Sequence, residues 1–84
     1  MNNLNDELQM FTGRLYNNRI SHILGSSPRI YLTYFDFMTS NGEVITVQRQ
    51  RNSRSILGEE YDNITFRGYL TTNRNNEPMI VMVE

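Results

Sequence analysis

The sequence predicts a single all-β domain, residues 1–84, built as a small five-stranded barrel. Alanine and lysine are absent, whereas threonine, isoleucine, valine and aromatic residues are plentiful, and this composition favours strands over helices. Two segments in which apolar and polar residues alternate each carry a central glycine. A glycine inside a strand indicates a bend or bulge, which is what a sheet needs in order to close on itself.

The first strand is predicted at Leu8–Tyr16, in which Phe11–Leu15 reads F-T-G-R-L. The polar segment Met1–Glu7 before it is predicted to be a flexible tail or a single helical turn. Asn17–Asn18 interrupts the apolar pattern. Arg19–Leu24 is predicted to continue as a short strand before a Gly-Ser-Ser-Pro turn.

The second and third strands are predicted at Arg29–Met38 and Glu43–Arg51, joined by a Ser-Asn-Gly hairpin signal. A two-residue loop would mix core with polar side chains on both faces, whereas a three-residue loop with Gly42 in the left-handed conformation separates them. Because a slip of one residue moves every side chain across the sheet, the three-residue loop is predicted. The pairs it creates are Phe37–Ile45, Asp36–Thr46, Phe35–Val47, Tyr34–Gln48, Thr33–Arg49 and Tyr31–Arg51.

Four of these residues, Phe35, Phe37, Ile45 and Val47, are predicted to form the core. The pairs made by Arg49 and Arg51 extend the same face toward a sheet end.

The fourth strand begins near Ile64, and its F-R-G-Y-L run at Phe66–Leu70 repeats the spacing of the first glycine strand. A polar loop follows, and Met79–Val83, preceded by Pro78, is a continuous apolar run predicted to be the closing strand.

The connection between the third and fourth strands, Asn52–Asp62, has too few apolar residues for a long helix. Ile56 and Leu57 are predicted to plug one end of the barrel in a short helical turn that Gly58 ends. Five short strands with such a plug before the fourth predict an OB-like barrel. An SH3-like barrel of similar length is the alternative, and the connection between the third and fourth strands favours the OB type.

Phe11–Leu15 resembles the first strand of bacterial single-stranded DNA-binding proteins, which often runs apolar-x-Gly-Arg-Leu. Tyr61–Thr72, YDNITFRGYLTT, resembles their fourth strand and that of the related primosomal replication protein, and Met79–Glu84 is similar to their closing strand. The resemblance implies an OB-fold that binds single-stranded DNA in replication. The chain has no tryptophan and a shorter segment before strand four. The resemblance therefore implies a minimal or divergent member, such as a phage or mobile-element protein.

The net charge of −1 argues against a broad electrostatic attraction to nucleic acid, but all eight basic residues are arginines and three of them are clustered. No acidic residue lies between Val44 and Gly58. The predicted phosphate contacts in this segment are Arg49, Arg51 and Arg54, and Tyr31 is a predicted base-stacking residue beside them. The alternative is a solvated strand end whose arginines pair with the nearby carboxylates Glu59, Glu60 and Asp62.

Tyr34, Arg67 and Tyr69 have the outward parity of their strands and are predicted to form a second nucleic-acid-binding surface. Exposed aromatic residues on a small barrel could equally form a homo-oligomer or protein-partner patch, or pack across strands. The second function considered is therefore a protein-interaction module that does not bind nucleic acid, such as a phage-encoded inhibitor or assembly factor.

The sequence predicts no enzyme, no metal and no cofactor. Cysteine is absent and His22 is the one histidine, so neither a transition-metal site nor a nucleophile–base pair can be assembled. The carboxylates at 59, 60 and 62 adjoin one another in a predicted loop rather than facing across a pocket. The sequence contains no apolar run of membrane-spanning length, and a cytoplasmic protein without a membrane partner is predicted.

Overall fold

A computed structural model of the chain describes residues 7–25, 27–52 and 58–83. The five strands are β1 (Leu8–Leu24), β2 (Ile30–Met38), β3 (Val44–Arg51), β4 (Tyr61–Thr72) and β5 (Pro78–Val83). They form a closed barrel in the order β1-β2-β3-β5-β4, with β4 paired again to β1. Strands β3 and β5 are parallel and the other neighbours are antiparallel. The predicted all-β barrel is confirmed, and this closed mixed sheet is consistent with an OB-like fold.

Strand β1 is long because it serves two neighbours in turn. Its first half pairs with β4 from Leu8 to Leu15, and its second half pairs with β2 from Arg14 to Leu24. Register shifts follow Tyr16, and Asn17 has a positive φ of 56°. The two short strands predicted on either side of Asn17 are therefore one strand. Asparagine tolerates the left-handed conformation, so the chain bulges there without leaving the sheet.

The hairpin of β2 and β3 has the register that the alternation predicts, from Tyr31 opposite Arg51 to Phe37 opposite Ile45. Gly42 has a φ of 85°, and its N–H donates to the carbonyl oxygen of Thr39 at 3.0 Å. The three-residue loop is therefore confirmed. The even spacing of the buried side chains decides the register, because the alternative loop would expose half of them.

The core lies between the strands and is largely aromatic at one end. Its buried members are Leu15, Phe35, Phe37, Val47, Phe66 and Ile80. The predicted Ile45 is half-buried and packs against them. The ring of Phe66 lies 5.2 Å from Phe37 in an edge-to-face contact and 5.6 Å from Phe11. Such ring pairs add to the stabilisation that burial of their area provides.

The two glycines of the repeated motif lie where neighbouring strands come close. A Cβ atom at Gly68 would lie 2.7 Å from the carbonyl oxygen of Val81 and 2.9 Å from the Cγ2 of Ile80. A Cβ atom at Gly13 would overlap the carbonyl oxygen of Met38. Both glycines are therefore needed for close approach of backbone in the closed wall of the barrel.

The predicted helical plug at Ile56 and Leu57 lies outside the described residues, as do residues 1–6 of the predicted tail. The described part of the chain contains no helix, so the plug is not seen. It follows that no described helix is long and apolar enough to cross a membrane. Beyond the undescribed residues of the β3–β4 connection, the N–H of Gly58 donates to the Oδ1 of Asn18 at 3.1 Å, which ties this connection to the β1 bulge.

Candidate nucleic-acid interface

A row of side chains crosses four strands on the outer face of the barrel. Tyr34 on β2 is opposite Gln48 on β3, Gln48 is beside Val81 on β5, and Val81 is opposite Tyr69 on β4. We call these four residues the outer band. Three strand spacings of ~4.8 Å separate the two tyrosines by ~14 Å along the surface. The outward parity that the sequence predicts for both tyrosines therefore brings them to one surface.

Tyr34 is held in place within the outer band. Its hydroxyl accepts a hydrogen bond from the Nε2 of Gln48 at 3.2 Å, and the Oε1 of Gln48 in turn accepts one from Gln50 at 3.2 Å. The exposed ring of His22 contacts the Tyr34 ring edge-to-face, with 6.4 Å between centroids. A half-buried aromatic ring with a fixed hydroxyl loses little freedom when a flat ligand stacks on it.

The loop between β4 and β5 is built around Asn73. Its Oδ1 accepts hydrogen bonds from the N–H groups of Asn75 at 2.8 Å and Glu77 at 3.0 Å, and its Nδ2 donates to the Glu77 carboxylate at 3.1 Å. Asn76 adopts a positive φ of 63°, which asparagine tolerates. The loop is therefore closed by its own polar side chains, and it carries Arg74 exposed at its tip.

A groove of about 500 Å³ separates this loop from the outer face of β2 and β3. Its lining comprises Tyr34, Thr46 and Gln48 on the sheet, Met79 on β5 and residues 72–75 of the loop. We call it the loop groove. Arg74 is its one charged side chain among the described residues. The volume lies within the range of small-ligand sites, and the lining offers an aromatic face, amides and one positive charge.

Arg74 is not among the binding residues predicted from the sequence. A sequence feature that could have pointed to Arg74 is its place in an asparagine-rich turn between two strands. The asparagine side chains of such a turn bond to the turn's own backbone, so the arginine stays exposed. Which sheet face the turn would approach depends on the closure of the barrel.

Arg49, a predicted phosphate contact, lies inside the barrel. Its side chain is 4% exposed, and its Nη1 and Nη2 atoms each donate to one oxygen of Glu59 at 3.0 Å. The guanidinium carbon lies 4.8 Å from the centroid of the Phe35 ring, and Tyr61 donates its hydroxyl hydrogen to the same carboxylate. The pairing with Glu59 is the one that the alternative interpretation of the sequence offered, but the pair is buried and not part of a solvated strand end.

The electrostatics of this cluster favour the ionised pair. Burial acts to lower the pKa of Arg49, but the hydrogen bonds and the negative charge of Glu59 outweigh it, so the pKa is raised. The hydrogen bond to Glu59 and partial burial raise the pKa of Tyr61, which stays protonated as a donor. Arg49 therefore joins β3 to the segment that leads into β4.

The other predicted residues divide between two further places. Arg51 is half-buried opposite Tyr31, near the barrel end that Arg49 occupies. Arg67 is exposed on the outer face of β4, two residues from Tyr69 and opposite Val83. Arg54 lies outside the described residues. The structure thus groups Tyr34 with Tyr69, and it groups Arg51 with Arg67 around a separate cleft of about 440 Å³.

The remaining carboxylates around the start of β4 lie against Arg14 on the surface. Arg14 approaches Glu60 at 3.5 Å and Asp62 at 3.9 Å, and each of these side chains is at least 46% exposed. Within the described ranges, no three acidic or histidine side chains are gathered so that they could hold a metal ion.

Comparisons of this chain with protein-family models, with curated proteins and with solved structures found no match. The resemblance to single-stranded DNA-binding proteins therefore stays a prediction.

Proposed function

We propose that this chain is a small non-enzymatic barrel of the OB type that binds single-stranded nucleic acid, with single-stranded DNA as its ligand. The observation that carries the proposal is the loop groove, whose lining contains both Tyr34 and the arginine of the β4–β5 loop, with no carboxylate among the described lining residues. OB-fold proteins bind oligonucleotides across strands two and three and the loop between strands four and five. The resemblance stated above extends the proposal to replication or to a phage or mobile element.

The chemistry of the site fits bases better than phosphates. Stacking of a base on an aromatic ring contributes about 1–3 kcal/mol, and it needs no particular base. Tyr34 and Tyr69 would provide two such positions at the ends of the outer band. Arg74 would contact a phosphate between them or beside them. With one arginine in the groove and a net charge of −1, we expect a shallow salt dependence, with a slope of about 0.7 for each phosphate contact.

In this proposal Arg49 supports the barrel and does not contact phosphate. To reach a phosphate it would have to leave Glu59, and the carboxylate would remain buried without its counter-charge. Breaking a buried ion pair in this way costs about 3–5 kcal/mol, more than one phosphate contact returns.

The test is fluorescence anisotropy with a labelled single-stranded oligonucleotide at low salt. We expect Tyr34→Ala and Arg74→Ala each to weaken binding about fivefold to tenfold, which corresponds to the loss of about 1 kcal/mol. Arg14→Ala removes the same charge on another face of the barrel and should leave affinity unchanged. No binding by the unmodified protein at micromolar concentration would remove the proposal.

A second candidate function, a protein-interaction module, is favoured by exposed apolar side chains at the start of β1. Leu8 is 43% exposed opposite Tyr69, and Met10 is 64% exposed opposite Arg67. Tyrosine and arginine beside exposed apolar residues are typical of interface hot spots. A partner that is retained on the immobilised protein after nuclease treatment of a lysate, without oligonucleotide binding in solution, would favour this function over the first.

A further inference from the structure

The loop between β4 and β5 carries one positive and one negative side chain, Arg74 and Glu77, which are both exposed. Arg74 lines the loop groove, whereas Glu77 does not. Among the described residues, no carboxylate lies within ion-pair distance of Arg74. The carboxylate nearest to Arg74 in the sequence is therefore kept apart from the one charge that the described groove lining contains.

Asn73 holds Glu77 in this arrangement. Its Nδ2 donates to the Oε1 of Glu77 at 3.1 Å. The backbones of the same two residues are also joined, because the N–H of Asn73 donates to the carbonyl oxygen of Glu77 at 2.8 Å. The carboxylate of Glu77 is thus retained at the base of the loop, where the two strands meet, while Arg74 lies at the tip.

The other end of the Asn73 amide shapes the loop itself. Its Oδ1 accepts hydrogen bonds from the N–H groups of Asn75 at 2.8 Å and Glu77 at 3.0 Å, and its backbone carbonyl oxygen accepts one from the N–H of Asn76 at 3.0 Å. Asparagine side chains commonly close turns in this way. Because Asn73 and Asn75 flank Arg74, these bonds fix the backbone on both sides of the arginine, and an ordered loop loses little freedom when it binds a ligand.

The side chain that closes the loop is a neutral amide, and this matters for the charge of the groove. An aspartate at position 73 could accept the same two backbone hydrogen bonds, since aspartate and asparagine form the same kind of turn. Its carboxylate, however, would lie one residue from Arg74 and beside Glu77, so it would attract the guanidinium and repel Glu77. The amide of Asn73 therefore gives the loop its shape without adding a charge that competes for Arg74.

From this geometry we infer that Asn73 is the positioning residue of the loop groove: it retains Glu77 at the base of the loop and so leaves the Arg74 guanidinium open to a phosphate of the ligand. The inference rests on the proposed binding of single-stranded nucleic acid in this groove. Although Asn73 lines the groove, it acts through Arg74 and not on a base, because its Oδ1 already accepts two hydrogen bonds and its Nδ2 holds the carboxylate.

Without Asn73, the carboxylate of Glu77 is released close to an opposite charge. An ion pair between Glu77 and Arg74 would then form within the loop and compete with a phosphate for the guanidinium. Exposed ion pairs are weak, so this competition lowers affinity by a modest factor and does not abolish binding. A role of this kind differs from simple support of the loop, because it disappears when the charge of Glu77 is removed.

The test begins with fluorescence anisotropy of a labelled single-stranded oligonucleotide at low salt. Asn73→Ala should weaken binding about fivefold to tenfold, as much as Arg74→Ala does, since both changes remove the same phosphate contact. In the Arg74→Ala background, Asn73→Ala should change affinity by less than about twofold, because the group through which it acts is gone. Asn63→Ala, which removes an exposed asparagine at the other end of β4, is the matched control and should leave affinity unchanged.

Glu77→Gln separates positioning by charge from support of the loop. Glutamine at position 77 can still accept the hydrogen bond from Asn73, so this change alone should leave affinity within about twofold. Added to Asn73→Ala, it should restore affinity to within about threefold of the unmodified protein, because the competing carboxylate is absent. Asp62→Asn removes an equal charge at the far end of β4, where the side chain is 93% exposed, and should not restore binding to Asn73→Ala.

Amide hydrogen exchange reports the loop without a ligand. The N–H groups of Asn75 and Glu77 should exchange faster in Asn73→Ala than in the unmodified protein, while the amide spectrum keeps the dispersion of the folded barrel. Unchanged exchange, unchanged affinity in Asn73→Ala, an undiminished effect in the Arg74→Ala background, or no recovery with Glu77→Gln would each overturn the inference and leave the proposed function standing. Absence of oligonucleotide binding by the unmodified protein would remove the proposed function, and the inference with it.

Discussion

Arg49 and Arg14 both pair with carboxylates from the short segment around the start of β4, but one does so inside the barrel and the other on its surface. Arg49 is 4% exposed, makes two hydrogen bonds to Glu59 and lies over an aromatic ring. Arg14 is 46% exposed, and its nearest carboxylate oxygens are at 3.5 and 3.9 Å. Carboxylates that are neighbours in sequence, Glu59 and Glu60, therefore pair with one buried and one exposed arginine.

This difference indicates that the contribution of an arginine–carboxylate pair to the stability of this fold depends on how deeply the pair is buried and not on the number of charges nearby. Water screens the surface contacts, and exposed pairs contribute about 0–1 kcal/mol. In the interior, water does not hydrate the charge that is left when its partner is removed. Loss of one side chain of a buried ion pair therefore lowers stability strongly. In the arginine cluster of the sequence, Arg49 is thus buried in an ion pair, whereas Arg51, two residues later, is only half-buried.

The largest expected effect comes from Glu59→Gln, which removes the carboxylate that pairs with the buried Arg49. We expect a loss of about 3–5 kcal/mol in the free energy of unfolding, measured by urea denaturation at neutral pH. A loss below about 1 kcal/mol would show that water reaches Arg49 and that the interior and surface pairs are equivalent.

The double variant Arg49→Met/Glu59→Leu sharpens the same comparison. Because it removes both charges and keeps the volume apolar, we expect stability near that of the unmodified protein and well above that of Glu59→Gln. If the double variant were as unstable as the single one, packing and not uncompensated charge would explain the loss.

Gly68→Ala tests the interior by shape instead of charge. The new methyl group would meet the carbonyl oxygen of Val81 at 2.7 Å, so β4 and β5 must move apart, and we expect a loss of about 1–3 kcal/mol in thermal or urea unfolding. Thr72→Ala, at the exposed end of the same strand, is the matched control and should cost less than about 0.5 kcal/mol. Equal effects would mean that the strands do not approach as closely as the geometry requires.

A smaller effect on stability is expected from the loss of the Asp36 carboxylate. Its ion pair with Arg19 is shorter than the ion pairs that Arg14 makes on the surface. Partial burial acts to raise its pKa, but hydrogen bonds from Asn17 at 2.9 Å and Arg19 at 2.8 Å and the charge of Arg19 outweigh it, so the pKa lies below its ordinary value. A lowered folded-state pKa contributes stability that is present above about pH 4 and is lost as the pH falls through the folded-state value.

Accordingly, Asp36→Asn should cost about 1 kcal/mol at neutral pH and nearly nothing near pH 2, when the free energy of unfolding is measured at both. Asp62→Asn, whose side chain is 93% exposed beside Arg14, is the control and should change stability by less than about 0.5 kcal/mol at either pH. A cost at Asp36 that persists at low pH would assign its role to shape and not to charge.

The β2–β3 hairpin shows what can be predicted from sequence in this protein. Its register follows from side-chain alternation together with a Ser-Asn-Gly loop, and both are local. The bulge at Asn17 was wrongly predicted as a break, because a pair of asparagines looks the same whether a strand ends or bulges. Arg74 was not singled out from the sequence, because only the closed barrel brings its loop beside Tyr34 and Gln48 on β2 and β3.

By itself the sequence determined the all-β class, the strands except for the continuity of β1, the inward and outward parity of the β2 and β3 residues and the hairpin register, since each depends on neighbours within a few positions. The tertiary structure decided that β5 lies parallel to β3, which places Tyr69 in one row with Tyr34. It also decided that Arg49 is buried against Glu59. These are contacts between strands distant in sequence, and no local pattern specifies which distant strand a given edge will meet.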